Sequence, residues 1–208
     1  MPIEALILYF DDYLTLSAEE KQAVRKSFSE KRVKRGRFIL QEGDVCKLNT
    51  FVVEGCFRMY MLDYSGKEHN LQFAIENWWI GDIASFHSEE PSKFYIEAIE
   101  NSVILQIKKE DQLRLFVEHP KFNRIFRVFT ENELVSYQRR VIQNISSTAE
   151  ERYIDFTNRY PDFFNRISSV QIASFLISMS RSKFLRLSWA ITLASFALGL
   201  TVPLYQRA

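Results

Sequence analysis

Three histidines, two cysteines and a basic C-terminal stretch are the side chains of this 208-residue chain best suited to chemistry. His69, His87 and His119 stand far apart and unpaired. A metal centre on a β-rich scaffold needs clustered imidazoles, often a His-x-His pair with a carboxylate. Cys46 and Cys56 form no CxxC pair and show no zinc spacing. No serine stands in a Gly-x-Ser-x-Gly elbow. The residues therefore read as a non-enzyme, with no catalytic constellation and no metal site. The two cysteines read as buried, reduced thiols that pack as small hydrophobes.

Charge says more by its placement than by its sum. The formal net charge is only +1, so the chain as a whole carries no footprint for nucleic acid. Yet Asp162 is the last acidic residue, and Arg166, Arg181, Lys183, Arg186 and Arg207 follow it unopposed. A basic end on a mildly acidic body suits phosphate. A second basic run, Lys31 to Arg37, reads as a solvated approach to a strand. Leu187 to Tyr205 is free of charge and close to the lower length limit for a membrane span. It carries Ser188, Thr192, Ser195, Gly199, Thr201 and Pro203, so it is read as too polar to cross. Met1-Pro2-Ile3-Glu4 has no basic n-region, which points to a cytoplasmic chain.

The elements that must position these residues follow from periodicity. Pro2 to Ser29 reads as helical, with Ser17-Ala18-Glu19-Glu20 as an internal cap. From Arg37 the apolar period changes to two. Phe38-Ile39-Leu40, Thr50 to Val53, Phe57 to Met61, Asn70 to Ala74, Tyr95 to Ala98 and Val103 to Ile107 are short strands between turn signals, as in a sandwich or barrel. Lys109 opens a short helix that stops near His119-Pro120. Lys121 to Ile145 lacks Gly and Pro and repeats apolar residues at helical spacing. It is a candidate connector and dimer seam. Ser147-Thr148-Ala149-Glu150-Glu151 is a capping box, Pro161 ends that helix, and Ser168-Ser169 caps another through Leu176.

In this order the motifs resemble the Crp/Fnr family of bacterial regulators. The likeness covers roughly residues 30 to 176. It rests on Leu40-Gln41-Glu42-Gly43-Asp44, Val53-Glu54-Gly55-Cys56-Phe57-Arg58, Trp78-Trp79-Ile80-Gly81-Asp82, Ile96-Glu97-Ala98, Thr148 to Tyr153, and Gln171-Ile172-Ala173-Ser174-Phe175-Leu176. The resemblance implies a jelly-roll sensor that holds a cyclic nucleotide such as cAMP, a dimerising helix and a helix-turn-helix that reads DNA. The ligand cassette would fall on Gly81, Asp82, Ile83, Ala84, Ser92 and Lys93. Helix-start amides would take the phosphate there. Asp82 replaces the family's Glu, and Lys93 stands where its arginine would supply a bidentate fork. An empty or differently occupied pocket is therefore the expectation. Trp78, Trp79 and Phe73 read as core rather than as ligand-stacking rings.

The resemblance also places Ser169 and Gln171 at DNA phosphates and Arg181, Ser182, Lys183 and Arg186 at the groove. Here the chain departs from the pattern, because no glycine follows Leu176 to make the tight turn. The tail is either naturally diverged or replaced, as by a change of reading frame near Leu176. The expected architecture is α+β: a cyclic-nucleotide-binding-like sensor over 1–120, a connecting helix over 121–146, and a helix-turn-helix-type domain with an atypical tail over 147–208. Expected partners are DNA, a small-molecule effector of unknown identity and a second copy of the chain, with no membrane. The alternative is a dimeric sensor or scaffold that has lost DNA reading.

Overall fold

Alternating side chains in the middle of the sequence build two four-stranded antiparallel sheets in the computed structural model, which describes residues 1–163 and 166–181 and only the backbone of 177–181. The strands are β1 (Phe28–Val33), β2 (Phe38–Leu40), β3 (Leu48–Glu54), β4 (Phe57–Leu62), β5 (Glu68–Ala74), β6 (Trp79–Ile80), β7 (Tyr95–Ala98) and β8 (Ser102–Lys108). One sheet has the order β1-β8-β3-β6 and the other β2-β7-β4-β5. Val52, Phe57, Met59, Ile80, Ile96 and Ile104 meet between the sheets. The fold is the expected α+β jelly roll with helices added at both ends.

Along β3 and β8 the first sheet is buried on both faces. Its neighbours in sequence, Phe51, Leu105 and Ile107, point outward into helices α1 (Pro2–Asp11), α2 (Ala18–Ser27), α4 (Lys109–Glu118) and α5 (Pro120–Ser146). Phe10 is fully buried there, with its ring against those of Phe28, Trp79, Phe122, Phe126 and Phe129. Phe73 and Trp79 lie in the core, as their sequence context suggested.

The Ser17 cap is a full capping box: Ser17 Oγ accepts from the Glu20 amide and Glu20 accepts from the Ser17 amide. Lys121 Nζ then reaches Glu20 at 2.7 Å and ties α5 to α2. Helix α5 is fixed mainly by packing. Burying Phe122 and Ile125 is worth roughly 1.5–3 kcal/mol each. The exposed Arg127–Glu131 pair at 3.5 Å adds only about 0.3–0.5 kcal/mol.

Two elements differ from the sequence reading. Residues 28–33 form an edge strand rather than a helix end and a solvated approach, because β1 pairs along its length with β8, from Phe28↔Ile107 to Val33↔Ser102. Four of its six residues are exposed, which hides the strand signal. Helix α7 (Ser169–Arg181) runs past Leu176 without a break.

Candidate functional site

The cassette segment is built from the end of β6, Gly81, and the short helix α3 (Ile83–Ser88). Asp82 is its N-cap and is buried. Asp82 Oδ1 accepts from the Ala84 and Ser85 amides at 3.1 and 3.2 Å. Asp82 Oδ2 accepts from Ser92 Oγ at 2.7 Å, and that same hydroxyl accepts from the Phe94 amide at 3.0 Å. Ser85 Oγ donates to the Glu90 carbonyl and accepts from the Cys46 amide. The amides that the resemblance reserves for a phosphate are thus occupied by the chain's own carboxylate. Ile83 is half-buried, while Ala84 and Lys93 are exposed. A methyl group on Gly81 would meet nothing closer than Asn49 Oδ1 at 3.7 Å, so close packing does not demand glycine there. A cyclic nucleotide bound as in the family would have to displace Ser92 from Asp82, and no arginine stands beside Ser92 to meet its phosphate. The cassette as folded does not fit that ligand.

The outer face of the second sheet carries a charged and aromatic cluster. Arg58 donates to Glu97 at 2.9 and 2.7 Å and also to Glu68. Its guanidinium lies 4.2 Å from the Tyr60 ring, which stacks on Tyr95. Burial alone would lower the Arg58 pKa, but the hydrogen bonds to the two carboxylates outweigh it and raise it.

Beyond α5, a capping box of Thr148 and Glu151 opens α6 (Ala149–Arg159). A short 3-10 turn (Pro161–Phe163) leads on to α7. Arg166 then clamps this segment to the sensor. It donates to Glu76 at 2.7 and 2.9 Å and to Glu100 at 3.0 and 2.8 Å. Arg166 was grouped with the basic tail in the sequence reading. It is instead held internally by two carboxylates, a pairing that spacing in sequence could not show.

Helix α7 lies on β5. Ser174 Oγ donates to the Glu68 carbonyl and accepts from the Asn70 amide, and Asn70 Nδ2 donates to the Gln171 carbonyl. The Phe175 ring packs on Phe73 and Phe156. The Gln171 side chain accepts from Ser168 N–H and Oγ–H, so it caps its own helix. Ser169 is exposed in the first turn. Arg181 closes the helix. Ser182, Lys183 and Arg186, and the apolar stretch from Leu187 to Tyr205, lie outside the described residues. Both cysteines are free and buried, and burial pushes the Cys56 thiol up to about 12. Among the described residues no cluster of His, Cys, Asp and Glu could hold a metal, and no helix is long and apolar enough to cross a membrane.

A two-sheet roll with a connecting segment between β6 and β7, feeding one long helix, defines a class of sensor domain. Residues 30–119 match the model of the cyclic nucleotide-binding domain. That stretch is similar to a cyclic nucleotide-binding domain, and the chain shares the fold of Crp/Fnr-type transcriptional regulators. It is similar to FixK2 from Bradyrhizobium japonicum, with a TM-score of 0.61 at 17% identity over 83% of this chain and 86% of that one. It is similar to the c-di-GMP responsive global regulator CLP of Xanthomonas campestris, with a TM-score of 0.61 at 14% identity over 88% and 92%. The sensor domain of the transcriptional regulator DNR from Pseudomonas aeruginosa gives 0.52 at 17% over 65% and 89%. At these identities the likeness is one of fold. No curated protein matches the sequence significantly.

Proposed function

We propose that this chain is a homodimeric, effector-responsive transcriptional regulator of the Crp/Fnr type. One observation carries the reading: the sensor roll leads through α4 into a 27-residue helix whose far half bears an uncovered apolar stripe. Val135, Ile142 and Ile145 are 53%, 62% and 82% exposed. They fall at the a and d spacing of a coiled-coil seam, while Phe122 and Ile125 on the near half bury in the sensor. Two copies joined along that seam would carry two C-terminal segments, suited to half-sites about one DNA turn apart. Arg181, Ser182, Lys183 and Arg186 are the proposed groove contacts, with Ser169 and Gln171 at phosphates.

A second reading, a dimeric sensor that no longer reads DNA, is favoured by α7. The helix continues through 177–180, where a helix-turn-helix would turn.

Fluorescence anisotropy with the chain's own upstream DNA, against a scrambled control at two salt concentrations, separates the two readings. Sequence-dependent binding that weakens with salt supports the regulator. Binding equal to the scrambled control, from a stable dimer, supports the second reading.

A further inference from the structure

A cavity outside the cassette lies between the C-terminal half of α5, helices α6 and α7, and Gln72 and Phe73 of β5. Its volume is about 90 Å³. That is room for several waters, at roughly 10–15 Å³ of accessible volume for each. Two of its lining side chains present buried polar atoms with no partner among the described residues: Asn144 Nδ2 and Arg152 Nε. Both are donors, so what the cavity lacks is an acceptor. The nearby carboxylate is turned to other donors: Asp155 accepts from Gln143 at 2.7 Å and from Arg159 at 3.3 Å and bonds to neither of these atoms. Arg152 is held in place meanwhile, since its Nη1 donates to the Ser147 carbonyl at 2.8 Å.

Charge and shape narrow the missing partner. Four arginines (Arg139, Arg140, Arg152 and Arg159) and two carboxylates (Glu133 and Asp155) line the cavity. The surplus is positive, so the cavity favours an anion. Its remaining walls are largely aromatic, with Tyr137, Phe156 and Phe163 among them. Arg140 already shows how a flat cation is accommodated here, 4.2 Å above Phe175 and 5.5 Å from Tyr137. A carboxylate can meet a guanidinium edge through two parallel bonds, and an attached ring would use the apolar walls, which inorganic phosphate cannot.

We propose that this cavity is a binding site for a small planar organic anion, a carboxylate on a single aromatic ring, whose oxygens accept from Asn144 on α5 and Arg152 on α6. Such a ligand would join the long helix to the helix after it. The site is separate from the cassette and does not depend on the chain reading DNA.

The test uses the full chain without DNA. Benzoate is titrated by calorimetry and by ligand-observed NMR, beside benzamide (the same shape without charge) and inorganic phosphate (charge without a ring). Benzoate should saturate at one per chain and raise the melting temperature, with the other two about tenfold weaker or more. Arg152→Met should weaken benzoate by about tenfold. Asn144→Leu removes an unpartnered donor at similar volume, so it should keep the melting temperature of the free chain and still lose benzoate affinity. Absence of saturable benzoate binding would overturn the proposal. So would equal binding of phosphate, or benzoate affinity unchanged in a folded Asn144→Leu chain.

Discussion

Ser92 holds Asp82 by a 2.7 Å hydrogen bond across the segment that family sensors keep open for a ligand. Asp82 is buried, and its other oxygen accepts from two helix amides. Removing the Ser92 hydroxyl leaves that carboxylate and the Phe94 amide each short of a partner. Ser92→Ala should therefore cost about 1–3 kcal/mol in urea unfolding. Cyclic AMP should give no saturable heat with either protein, since neither has an arginine beside position 92. Saturable heat with the unaltered chain would show that the segment opens.

Arg166 makes the C-terminal segment sensitive to acid. Burial pushes the Glu76 carboxyl up, but the hydrogen bonds from Arg166 and from the Gly55 amide outweigh it and hold the group below the ordinary glutamate value. A carboxylate depressed in the folded state stabilises it fully above the unfolded pKa, about 4.3. That contribution fades as pH falls through the lower folded value. The 166–176 segment should stay protected at pH 6 and gain hydrogen exchange below about pH 4, beyond the intrinsic rate change. Arg166→Met should exchange readily at both pH values. Equal protection in the two proteins would remove the clamp from the account.

Gly55 closes the turn between β3 and β4 at φ +102°, a region that suits glycine. A Cβ there would lie 2.8 Å from the Ser102 Cα and closer still to its side chain. Gly55→Ala should destabilise by at least about 1–3 kcal/mol from backbone strain alone, with the collision added. Scanning calorimetry should show Ser102→Gly recovering part of that loss, namely the side-chain collision, and leaving the φ strain.

The exposed stripe on α5 makes a contrasting prediction. Ile142→Lys with Ile145→Lys should leave the unfolding of each copy nearly unchanged, since surface changes are usually within about ±0.5 kcal/mol. It should shift sedimentation from dimer to monomer. A double variant that remains dimeric would place the seam elsewhere.

Much of this architecture was legible because local rules and tertiary packing agreed. Ser17 with Glu20 and Thr148 with Glu151 announce helix starts, and both boxes form. The period-two runs from Phe38 onward become the strands of the roll. Strand β1 was hidden because an edge strand keeps a polar outer row, here Ser29 to Arg32, which looks like a loop. The cassette is an expectation from the order of motifs, and its closure is not legible there: that Asp82 meets Ser92 depends on how the chain folds between them. Arg166 misled for the same reason. A basic residue in a run without acids reads as free, and only three-dimensional proximity reveals Glu76 and Glu100. The cavity below α5 left no trace in sequence, because its donors come from two helices and its rings from several elements.

The burial of Phe10 has a consequence for synthesis. Helix α1 is made well before α5, yet the rings that enclose it include Phe122, Phe126 and Phe129 of α5. Translation at about 5–20 residues per second leaves that face without its cover for roughly 6–24 seconds. Strand β1 waits roughly two-thirds as long for β8, its neighbour in the sheet. The nascent chain therefore carries an oily helix and an unpaired strand until most of the sensor has emerged, and that interval is when a chaperone has something to hold.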